Sequence, residues 1–210
     1  SLGVKIDMKP EQAKKCFEKT GITCLFAPLY HPAMKNIAPI RRELGVRTVF
    51  NFIGPLLNPA KASHQLIGVS SLEKAEKMGK IMMKLGSKKV LIVCGDDGLD
   101  EVSIAAPTHV FEFGQNQEMK KYYIKPRKLY NLTGVIGGDK IINAEIIKNI
   151  FSGKGTAAQN EFVAVNAGMA LLAAEVVPDF AAGTRKALEL ILSGAVLKKL
   201  AEVIKVSNEF

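Results

Sequence analysis

HQLIGVSSLEKAEKMGKIMMKLGSKKVLIVCG, residues 64–95, decides the fold. HQLIGVS at 64–70 reads as a strand, and a helix follows over about 72–85 with Ser71 in position to cap it. KVLIVCG at 89–95 is an uninterrupted apolar run, the pattern of a strand whose two faces are both covered. Strand, helix, strand in that order implies a right-handed βαβ crossover.

Outward from this unit the pattern stays mixed. Toward the C-terminus, HVFEF at 109–113 and KKYYIK at 120–125 form a shorter antiparallel pair around Gly114-Gln115-Asn116. The remainder is helical: one helix after Gly137-Gly138-Asp139, a long one through 157–175, and two more at 179–193 and about 195–204. Phe162, Val165, Met169 and Leu172 recur at helical spacing in the long one and form a packing stripe. Asp139 is better placed as a helix cap than as a phosphate partner, although a glycine turn before a helix can cradle an anion. Toward the N-terminus, Pro10 starts a short helix that Gly21 stops, and ITCLFA at 22–27 reads as a buried strand. The fold class is α/β, a sheet with βαβ crossovers flanked by helices. The segments 125–137 and 152–157 have the lengths of ordinary loops, so residues 1–210 read as one domain.

Composition narrows the class. Hydrophobic residues make up 48% of the 210, enough for a substantial core. No apolar run approaches the ~20 residues that span a bilayer. Cys16, Cys24 and Cys94 are odd in number and widely spaced, which fits a reducing cytoplasm and argues against a disulfide framework or a zinc site. Cys24 and Cys94 sit in apolar runs and read as small core hydrophobes. The net charge of +9 suggests nucleic acid at first. However, the lysine clusters at 88–89, 120–121 and 198–199 are short, separated and not interleaved with aromatics. A phosphorylated, anionic substrate suits the charge equally.

Two stretches carry chemistry. Directly after the apolar strand comes Gly95-Asp96-Asp97-Gly98-Leu99-Asp100-Glu101. Open α/β sheets collect ligands at the carboxyl ends of strands. Acids crowded there repel one another without a cation, and magnesium binds through one or two carboxylates plus substrate phosphates. Spacing alone leaves a plain aspartate–glycine turn equally open. The second stretch is HPAMKNIAPIRRELGVRTVFNFIGPLLNP at 31–59. Pro32 suits the first turn of a helix, and Met34, Ile37, Ile40 and Leu44 give it one apolar face. Gly45 ends it, and a second helical piece lies near 48–53. Arg41, Arg42 and Arg47 then stand near the Gly54-Pro55 turn. A guanidinium fork there suits a planar carboxylate, while a solvated arginine face is the ordinary alternative.

These stretches, with DGLDEVS at 97–103, GGDKIINAEIIKNIFSG at 137–153 and NEFVAVNAGMALLAA at 160–174, resemble the anthranilate phosphoribosyltransferase family along the whole chain. The resemblance implies transfer of a phosphoribosyl group from phosphoribosyl pyrophosphate to anthranilate in tryptophan biosynthesis, with Mg2+ and without a covalent nucleophile. It implies Arg41 on the anthranilate carboxylate, His31 near the anthranilate path, Gly54 and Pro55 shaping the wall against the ring, and Asp100 and Glu101 as the metal pair. It further implies that 31–59 packs, in relatives, with a small N-terminal helical domain. A cytoplasmic homodimer is expected, with no nucleic acid and no membrane partner. The family's GTGGD and KHGN phosphate elements occur nowhere in the chain. The chain is therefore expected to be a C-terminal portion truncated at its N-terminus and inactive alone. A pyrimidine nucleoside phosphorylase-like enzyme and a non-catalytic binding module are the alternatives.

Overall fold

A computed structural model describes residues 1–31, 43, 54–114 and 118–210. The elements in chain order are α1 (Pro10–Thr20), α2 (Ala27–Tyr30), β1 (His64–Gly68), α3 (Leu72–Lys84), β2 (Lys89–Gly95), β3 (Thr108–Phe113) and β4 (Met119–Ile124). A 3-10 turn at Leu132–Val135 and helices α4 (Lys140–Phe151), α5 (Ala157–Ala173), α6 (Phe180–Leu192) and α7 (Ala195–Ser207) complete the series. Apart from Glu43, which is helical, the helix expected over 32–45 lies outside the described residues, as does the piece expected near 48–53.

The four strands form one open sheet in the order β1-β2-β3-β4. β1 and β2 run parallel with Ile67 opposite Ile92, joined by α3 as the sequence pattern requires. β3 and β4 continue the sheet antiparallel. Side chains alternate along β2, and its unbroken apolar run serves two cores at once. Val90, Ile92 and Cys94 join Ala75, Met78 and Met82 of α3 on one face. Leu91 and Val93 join Val165, Met169 and Ala173 of α5 on the other. Each such fully buried aliphatic side chain contributes about 1.5–3 kcal/mol relative to an exposed one. Beyond α5, Gly168 and Gly183 let α5 and α6 touch backbone to backbone: a Cβ on Gly183 would stand 2.5 Å from the Gly168 carbonyl oxygen.

The N-terminal segment is tied to the C-terminal helix. The Lys5 amide donates to Ser207 Oγ at 3.1 Å, and Asn208 Nδ2 donates to the Gly3 carbonyl at 2.8 Å. Met8, Ala13 and Cys16 are buried there against Val206 and Phe210.

Two expectations need correction. Residues 22–26 form no strand, and Cys24 is exposed rather than a core residue. Gly21 stops α1 in the left-handed region, and Pro28 opens α2 a few residues later. Between them the Ile22 carbonyl is taken by Thr20 Oγ1 at 2.8 Å, a side-chain bond that competes with ladder pairing. Secondly, Ser71 occupies the cap position of α3, but its side chain accepts no hydrogen bond from the helix. Asp139 does cap α4, accepting from the amides of Ile141 and Ile142 at 2.8 and 3.0 Å. Among the described residues no helix is long and apolar enough to cross a membrane.

Candidate active site

The acidic loop leaves the carboxyl end of β2 and returns as β3. Its first turn is closed by Gly95 N–H to the Leu99 carbonyl at 2.9 Å, with Gly98 at φ 84° between them. That conformation suits glycine because a Cβ would crowd the backbone. Four acids occupy this loop and divide into two kinds. Asp96 Oδ1 meets His109 Nε2 at 2.8 Å. Asp97 accepts from the Leu99 amide at 3.3 Å and from Ser103 Oγ at 2.5 Å. Ser103 is itself buried, and its amide donates to the buried Thr108 Oγ1 at 2.9 Å. Asp96 and Asp97 therefore hold the loop's shape.

Asp100 and Glu101 do not. Both are exposed, and neither makes a hydrogen bond or ion pair among the described residues. Their proximity is felt electrostatically. Partial burial raises the Glu101 pKa above its ordinary value, and the Asp100 charge raises it further. Two adjacent hard oxygen donors with no partner among the described residues fit a magnesium ion, which tolerates few protein ligands when phosphates and water supply the rest. No group of three or more His, Cys, Asp or Glu that could hold a metal exists among the described residues. The pair would accordingly share an ion with a substrate rather than enclose it.

The backbone under this pair is fixed from two sides. Gly68, the last residue of β1, lies so close that a Cβ there would stand 1.5 Å from the Asp100 carbonyl oxygen. On the other side, the Asn166 side chain of α5 bonds both backbone groups of Val102.

A cavity of about 620 Å³ opens along the outer edge of β1. Its walls include His31, Gly54 and Pro55 together with Thr23, Asn58 and Gly68. Three residues expected at an acceptor site are thus gathered in one hollow. The acid pair does not line it but adjoins it through the contact of Gly68 with Asp100. Arg41, Arg42 and Arg47 lie outside the described residues. His64, at the start of β1, is held between Ser63 Oγ and Glu175 and does not line this cavity. Sequence reasoning missed Gly68, Ser103, Thr108 and Asn166. For Asn166 a signal existed: a lone amide inside the apolar run VAVNAGM of a helix.

Residues 1–197 match the model of the glycosyl transferase family, a/b domain. The chain belongs to this family. Among curated glycosyl transferase family relatives, the anthranilate phosphoribosyltransferases of Rubrobacter xylanophilus and Desulfatibacillum aliphaticivorans are 39% and 43% identical to it over 212 and 213 residues. The chain is covered to 99% and 100% in these matches and spans 62% of the length of each relative. Among solved structures, anthranilate phosphoribosyltransferase from Thermus thermophilus superimposes with a TM-score of 0.90 at 33% identity, over 99% of this chain and 62% of that one. The Saccharomyces cerevisiae enzyme in complex with PRPP and Mg gives 0.89 at 28% identity, over 100% of this chain and 61% of that one. The same yeast enzyme with 4-fluoroanthranilate gives 0.89 at 27%, over 100% and 62%.

Proposed function

We propose that the protein containing this chain transfers a phosphoribosyl group from phosphoribosyl pyrophosphate to anthranilate, in tryptophan biosynthesis. The anthranilate amine forms a bond to the anomeric carbon, the bond from that carbon to pyrophosphate breaks, and the amine gives up a proton. Products are N-(5-phosphoribosyl)anthranilate and pyrophosphate. The observation that carries this reading is the Asp100–Glu101 pair, without a partner among the described residues, in the loop at the carboxyl end of β2 and next to a hollow walled by His31, Gly54 and Pro55.

In this reading Asp100 and Glu101 are the residues that would hold Mg2+. Bound there, the ion would offset the charge that develops on the leaving group. Gly54 and Pro55 form the wall for the aromatic ring, His31 flanks its path, and Arg41 grips the carboxylate through two parallel hydrogen bonds. No covalent intermediate is required. The chain's contribution is to align two substrates and to place charge where it develops. The three free cysteines accord with a reducing, cytoplasmic setting. The working enzyme is proposed as a homodimer, with neither nucleic acid nor membrane as a partner.

Replacing Arg41 by alanine in the intact protein tests the acceptor assignment. A fall in kcat/KM for anthranilate on the order of 10²–10³ is expected, the usual cost of a lost positioned charge. An unchanged kcat/KM would remove Arg41 from the site.

A further inference from the structure

The loop that carries the acid pair is held by one side chain that no ladder or turn accounts for. Asn166 lies in the middle of α5, within the apolar run VAVNAGM. Its Oδ1 accepts from the Val102 amide at 2.8 Å. Its Nδ2 donates to the Val102 carbonyl at 3.1 Å and to the Phe162 carbonyl, one turn back, at 2.9 Å. A single amide therefore satisfies both backbone groups of a residue that is 2% exposed and follows Glu101 directly. It does for Val102 what a neighbouring strand would do. Across the loop, Gly68 leaves no room for the Asp100 carbonyl to move toward β1.

We infer that Asn166 is a positioning residue for the Asp100–Glu101 pair: it fixes the backbone at Val102 so that the two carboxylates converge on one cation. This rests on the proposed reading of the pair as a metal site and goes beyond it by naming what sets its geometry. Residues that orient metal ligands without touching the ion typically govern affinity by about 10–100-fold. Asn166 would act in that way, through the main chain rather than through a ligand side chain.

The test is Mn2+ binding to the intact protein with pyrophosphate present, read against the same mixture without protein by the electron paramagnetic resonance of free Mn2+, in wild type, N166A, I191A and D100N/E101Q. I191A is the control. It removes a core side chain of α6 that does not touch the loop, and so lowers stability without disturbing Val102. Expected are binding lost in D100N/E101Q, weakened about tenfold or more in N166A, and unchanged within twofold in I191A. Wild-type affinity in N166A, with binding lost in D100N/E101Q, would overturn the role of Asn166 and leave the metal pair standing. Equal weakening in N166A and I191A would overturn it too, by showing general destabilisation. Undiminished binding in D100N/E101Q would sink the metal reading itself, and the positioning role with it. Should N166A fail to fold, N166S carries the same test. A serine hydroxyl can still bond the Phe162 carbonyl one turn back but loses both bonds to Val102. The same tenfold loss is expected there, and wild-type affinity in N166S would overturn the proposal.

Discussion

Two glycine–aspartate turns of similar sequence have opposite electrostatics. In Gly137-Gly138-Asp139 the carboxylate is consumed by the fold. It accepts from two amides at the start of α4, and these bonds hold its pKa below the ordinary value. In Gly95–Glu101 the last two acids accept nothing among the described residues, and Glu101 is shifted upward by burial and by Asp100. A carboxylate stabilised by its own backbone is a structural part. A destabilised carboxylate without a partner among the described residues is a candidate for a ligand.

The largest effect expected from this contrast is catalytic. In the intact protein, D100N/E101Q should lower kcat/KM for phosphoribosyl pyrophosphate by on the order of 10² or more. D139N should leave it within twofold. Comparable losses in both, measured as pyrophosphate release, would erase the distinction.

The next effect is steric. Gly68→Ala forces a methyl group into the Asp100 carbonyl. Overpacking of this kind costs about 1–3 kcal/mol, and more where backbone must move. Denaturant unfolding of G68A should show at least that loss. Unaltered stability would mean that β1 and the acid loop are not in contact.

A smaller effect is expected at the cap. Asp139→Ala should lower the thermal midpoint by a few degrees, with turnover intact. Because the Asp139 pKa is depressed in the folded state, the contribution of this cap is present at neutral pH and fades as pH falls through that depressed value.

The smallest effect has the opposite sign. Glu101 has a raised pKa in the folded state, so its ionised form penalises folding at neutral pH, and the penalty is relieved as pH falls through the raised value. With divalent ions chelated, E101Q should therefore be slightly more stable than wild type at pH 7, and this advantage should vanish in acid. Saturating magnesium should also reverse it, because the ion favours the ionised pair. Destabilisation by E101Q at pH 7 in chelator would contradict the raised pKa.

What the sequence made legible follows from how local its signals are. The uninterrupted apolar run along Lys89–Gly95 and the helical spacing of Phe162, Val165, Met169 and Leu172 state directly which faces are buried. The Asp139 cap sits two and three residues from the amides it serves. ITCLFA was misleading because apolar character was the only signal it offered, whereas the outcome depended on Thr20 capturing the Ile22 carbonyl. The acid pair was visible as composition. Its support was not, because Asn166 is 64 positions from Val102 and Gly68 is 32 from Asp100. Such contacts arise only once β1, β2 and α5 have packed.

The most direct test of the metal pair is a crystal structure of the intact protein with Mg2+ and phosphoribosyl pyrophosphate. The account predicts an ion roughly 2.0–2.1 Å from a carboxylate oxygen of Asp100 or Glu101, bridged to the diphosphate. An ion seated instead on Asp96 or Asp97, or a bound diphosphate whose magnesium touches neither Asp100 nor Glu101, would contradict it.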